Sequence, residues 1–112
     1  MKSVQFSPAA VETVAYPVDP ARVTPGTEIV VGPVWNREDG SEVRGVWQMD
    51  PGVLEGVEGD EMFVIVSGQA TAEFADGRVW ELGPGDVGIM VPGDVCRWTT
   101  HETVRKVFSR RV

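Results

Sequence analysis

Apolar residues along this chain come in short runs cut by Gly, Pro and Asp, and no run carries a 3.6-residue period long enough for a helix. The spacing predicts strands over 28–35 and 42–49, joined by a turn at 36–40 whose Asp39-Gly40 end suits a positive φ at the glycine. Asp50-Pro51-Gly52 stops the second strand, and 53–57 reads as a short strand or loop. Residues 61–67 form a nearly continuous apolar run, and 69–75 alternate, with Ala70, Ala72 and Phe74 opposite Thr71 and Glu73. Gly68 between them marks a tight hairpin or a bulge. Asp76-Gly77, Gly83 to Asp86 and Pro92-Gly93-Asp94 are further turns, setting off strands over 78–82, 87–91 and 95–100, and 103–108 closes the series. About eight or nine short strands at regular spacing, with no helix between them, imply an all-β sandwich or small β-barrel with jelly-roll connections.

Residues 1–26 differ in character. Pro8, Pro17, Pro20 and Pro25 prevent a helix of more than a turn or so, leaving an arm with an extended piece over 11–16 that packs on a sheet or a partner subunit. The domain proper is then 27–112. Composition agrees with one turn-rich core: 112 residues, 42% hydrophobic, with 13 Gly and 8 Pro. A net charge of -7 argues against nucleic acid or an anionic membrane as partner. No apolar run approaches the roughly 18 residues of a spanning helix, and the first residues lack the apolar core of a secretion signal, so the expected location is cytoplasmic. The single Cys96 fits a reducing compartment.

Several segments occur in an order that resembles the cupin superfamily: GVWQMDPG at 45–52, DE before an apolar run and glycine at 60–68, Asp76-Gly77, Gly85-Asp86, Pro92-Gly93, Cys96-Arg97-Trp98, and ETVRKVF at 102–108. Within it, the chain is similar to small single-domain proteins grouped with the ureidoglycine aminohydrolase cupin domain. The resemblance implies a jelly-roll-like, RmlC-like barrel and commonly a homodimer. It also implies, for the wider superfamily, a metal held by an HxH pair, a Glu and a third His. Here Glu61 falls on the Glu position, the HxH positions fall near Glu55 and Val57 or Leu54 and Gly56, and Cys96, or Arg97 by the alternative count, takes the third His position. The full metal set is absent, so no cofactor is expected; a divalent metal would have to use Glu61, Cys96 and Glu55 without any imidazole.

The same residues suggest metal-free chemistry. Glu61, at the head of an apolar strand, is costly to bury without purpose or partner, and it is the candidate general acid or base of an isomerase, lyase or hydrolase. Its bland counterpart is an acid tied to a hydrogen-bonding neighbour. Cys96 reads as a wall residue of the pocket or a small core residue. Strand alternation puts Trp98 on the same side as Cys96 and Arg97 opposite, so Trp98, with Trp47, Phe63 and Glu55, is expected to shape a pocket for a small polar or sugar-like molecule. His101, the only histidine, falls in an expected loop and reads as solvated. The basic ending, Arg105, Lys106, Arg110 and Arg111, suits an anion, an acidic surface needing balance, or a subunit contact. The expected function is small-molecule binding, catalytic or not.

Overall fold

A computed structural model describes residues 2–112. Eight strands make up one antiparallel sheet that folds over itself: β1 (Val14–Ala15), β2 (Ile29–Asn36), β3 (Glu42–Met49), β4 (Gly52–Glu58), β5 (Asp60–Phe74), β6 (Val79–Leu82), β7 (Val87–Met90) and β8 (Val95–Arg111). Closure depends on the two long strands. The first half of β5 pairs with β7 and with the second half of β8, which also pairs with β3; the second half of β5 pairs with β6 and with the first half of β8, which also pairs with β4. Strands β5 and β8 thus pass from one layer of the barrel to the other, and the apolar side chains of both layers meet between them. This is the all-β jelly-roll architecture expected from the strand spacing.

Two boundaries differ from the expectation. Of the two readings of Gly68, the bulge holds and the hairpin does not: β5 runs through it as one strand with register shifts between Ile65 and Ala70. Its φ is +90°, and a Cβ there would strike the backbone of Thr103 and Val104, so glycine permits both the bend and the close approach of β8. The bulge also reverses the inward parity, from Glu61, Phe63 and Ile65 to Ala70, Ala72 and Phe74, all buried. Residues 95–111 likewise form one strand with no loop at His101. That exposed imidazole sits 2.7 Å from the Thr71 hydroxyl, which donates to Glu81.

The N-terminal segment lies on its own barrel. It holds two 3₁₀ turns, Pro8–Ala10 and Pro20–Arg22, each with proline at its start. Strand β1 pairs with β2, and Arg105 donates to the carbonyls of Pro8 and Val11 while also reaching Gln48. Farther along, Arg22 donates to the carbonyls of Glu55 and Gly56, both at 2.9 Å. These contacts hold Tyr16 to Val18 across one end of the barrel.

Candidate functional site

Inward parity on β5 and β8 brings a pair of ions into the apolar interior. Glu61 lies on β5 two residues before Phe63; Lys106 lies on β8 between Val104 and Phe108, with which it shares a face. Lys106 Nζ donates to Glu61 Oε2 at 2.7 Å, and the two side chains are only 7% and 8% exposed. The second carboxylate oxygen lies 3.5 Å from Arg110 Nη1, whose other terminal nitrogen donates to the carbonyl of Glu58. The acid at the head of the apolar strand therefore has its partner.

Aromatic rings complete the surroundings of the ammonium. Lys106 Nζ is 4.6 Å from the ring centroids of Trp47 and Phe63 and 5.0 Å from that of Trp98, within cation–π range of all three. The rings support one another. Trp98 meets both Trp47 and Phe63 edge to face with centroids 5.7 Å apart, and its indole N–H donates to Thr100 Oγ1. Phe63 lies flat against Gly88 of β7, where any Cβ would enter its ring. The cage is held from several strands at once.

Beside the cage opens a cavity of about 230 Å³. Trp47, Trp98, Glu61, Lys106 and Phe108 line its inner part, Leu54, Gly56 and Val57 of β4 one wall, and Tyr16, Val18, Arg22 and Arg110 are among the residues nearer the N-terminal segment and the rim. Of the residues anticipated for a pocket, Trp47, Glu61 and Trp98 line it. Phe63 packs against Lys106 from the core and Cys96 is buried in the same core, so neither lines the cavity. Burial pushes the Cys96 thiol up to about 11; the Glu61 and Asp94 carboxylates add to this and Lys106 opposes it.

Glu55 requires a correction. Alternation after the buried Leu54 turns it outward, where its exposed carboxylate pairs with Arg97 at 2.8 Å, and a bulge between Leu54 and Val57 brings Val57, not Glu55, back toward the cavity. The set Glu61, Cys96 and Glu55 does not converge, and among the described residues no group of three or more His, Cys, Asp or Glu is placed to hold a metal. The donors do not fit the metal implied for the wider superfamily: a lysine ammonium already engages the one acid that would hold it. His101 makes no catalytic triad either, because its neighbouring acid, Glu81, accepts from the Thr71 hydroxyl and not from the imidazole.

Lys106, Arg110, Arg22 and Tyr16 were not anticipated as cavity residues. For Lys106 the signal was available: a lysine two residues from both Val104 and Phe108 on a strand must share their face. No comparable signal marks Arg22, whose place depends on how the arm folds back.

A barrel of this topology, with its cavity between the two layers, is that of a cupin domain. The model of the EutQ-like cupin domain family matches residues 36–108, and the chain belongs to that family. Among solved structures, it is similar to an ethanolamine utilization protein Q from Salmonella typhimurium (20% identity, TM-score 0.64, covering 75% of this chain and 69% of that one). A DUF861-family protein of unknown function from Pseudomonas syringae superposes with TM-score 0.78 at 19% identity, covering 89% of this chain and 44% of that one. The Cnp3 cupin domain of Schizosaccharomyces pombe superposes with TM-score 0.73 at 15% identity, covering 97% and 69%. At these identities the likeness is one of fold. No curated protein matches the chain significantly.

Proposed function

We propose that this protein is a small-molecule-binding cupin whose barrel cavity takes a small polar metabolite. The observation that carries the reading is the buried Lys106–Glu61 pair opening onto a cavity of about 230 Å³ with two tryptophan walls. At about 30 Å³ per water that is room for on the order of eight waters, the scale of a small metabolite. Binding takes precedence over catalysis in this proposal, because Glu61 is engaged by two cations. Proton transfer by Glu61, in an isomerase, lyase or hydrolase reaction, is the second reading; the aminohydrolase chemistry of the ureidoglycine-related cupins is not carried over, since its ligand set is missing. A thermal-shift panel of small acids, amides, polyols and amines tests the proposal. At least one class should raise the melting temperature, and Val57→Phe, which fills the wall of the cavity, should abolish that shift while keeping the fold. A panel without any shift overturns it.

A homodimer in a cytoplasmic setting belongs to the same proposal. Its support is the outer face of β5 and β7, where Met62 (50% exposed) stands opposite Ile89 (64%) and Val64 opposite Val87 (54%), an apolar patch beside a strand edge. Light scattering on the intact chain should give twice the monomer mass, and Ile89→Lys should reduce it to the monomer; a monomeric wild type refutes the dimer. Among the described residues no helix is long and apolar enough to cross a membrane.

A further inference from the structure

We propose that the ligand class of this cavity is a small monocarboxylate, bound by the Lys106 ammonium with Arg110 and Arg22 nearer the rim. The inference rests on the reading of the cavity as a binding site. An ammonium has three N–H donors, and the hydrogen-bond acceptor found for Lys106 among the described residues is Glu61 alone. Lys106 also lines the cavity, where an incoming oxygen would accept a donor that Glu61 leaves.

Charge narrows the class. The chain as a whole carries -7, yet the charged residues lining the cavity are Arg22, Lys106 and Arg110 against Glu58 and Glu61, one positive charge in excess. A monoanion balances that excess; a dianion would overshoot it. A cationic ligand is disfavoured on two grounds. The aromatic cage that would receive it is already filled by Lys106, and the nearest carboxylate is already paired. The ion pair with Glu61 and the three rings hold the Lys106 ammonium in one position, so it serves as an oriented hydrogen-bond donor for recognition. Arg110 reaches Glu61 at 3.5 Å and the carbonyl of Glu58 at 3.2 Å, which leaves further guanidinium N–H donors for the carboxylate of a ligand.

The test is a calorimetric titration of the intact protein, at constant ionic strength, with glycolate and lactate, with their amides, and with malonate as a dianion. Both monocarboxylates should bind and their amides should not, with malonate weaker. Lys106→Met should weaken glycolate by about tenfold to a hundredfold, the loss expected for a charge-assisted hydrogen bond. Glu61→Gln, which removes the competing anion and frees an ammonium donor, should tighten it; this variant keeps the proposal testable should Lys106→Met fail to fold. Amides or polyols binding in place of the acids would overturn the carboxylate proposal and leave the cavity reading standing. If nothing binds, both fall.

Discussion

Removing either ion of the buried pair should be far more damaging than removing both. At 2.7 Å and an effective dielectric near 20, the Lys106–Glu61 attraction is about 6 kcal/mol. Taking the two charges out of water costs several kcal/mol each, so the intact pair contributes little net stability. Lys106→Met leaves the Glu61 carboxylate buried with only the 3.5 Å contact to Arg110, and the expected loss is about 3–5 kcal/mol. Glu61→Leu leaves the ammonium without its acceptor but still facing three rings, which offset on the order of 2 kcal/mol, so its loss should be the smaller. The double variant replaces both ions by apolar groups and should lie within about 1 kcal/mol of wild type. Urea denaturation at pH 7 across the four proteins gives the coupling energy, expected at about 3 kcal/mol or more. A coupling below about 0.5 kcal/mol would mean that water screens the pair, and the reasoning from a dry, caged site would be refuted.

The remaining predictions concern pH and the thiol. Cys96 should resist thiol reagents at pH 8 until the protein unfolds; because its folded value is raised from 9.0 to about 11, its contribution to stability is present below pH 9 and lost as pH rises from 9 toward 11. Rapid labelling of the native protein would refute its burial, and Cys96→Ala should flatten the alkaline limb. Glu42 has the opposite sign: hydrogen bonds from Arg37 and Arg44 hold it near 2, below its ordinary 4.5, so its contribution is complete above about 4.5 and lost as pH falls toward 2. Urea midpoints over that range should fall less steeply for Glu42→Gln; parallel curves would show that the Arg–Glu contacts do not persist in solution.

Much of the barrel was legible because each strand carries its own alternation and its own turn residues. Residues 42–49 stand out between Asp39-Gly40 and Asp50-Pro51, and they form β3 with those limits. Glu61 was legible as a site candidate because an acid heading an apolar strand needs a partner. What could not be read from local pattern was the effect of the two bulges. A bulge reverses the parity of the side chains beyond it: in β4 it brought Val57 rather than Glu55 to the cavity side, and in β5 it let the strand continue through Gly68 with its inward face exchanged. Lys106 was obscured by its neighbours: among Arg105, Arg110 and Arg111 it reads as part of a basic ending, although alternation sends Arg105 to the arm and Lys106 to the cavity. The roles of Tyr16 and Arg22 arise from long-range contacts with β2 and β4, which no local window contains.

The chain has only two lysines, Lys2 and Lys106, and the first is exposed. Proton–nitrogen NMR of the lysine side chains at neutral pH therefore isolates the ammonium on which the account depends. Lys106 should give a slowly exchanging ammonium signal, shifted upfield by the rings of Trp47, Phe63 and Trp98, lost in Lys106→Met and displaced on titration with glycolate. Two lysine ammonium groups exchanging with water at the same rate, without a ring-current shift, would contradict a caged cation at the centre of this barrel.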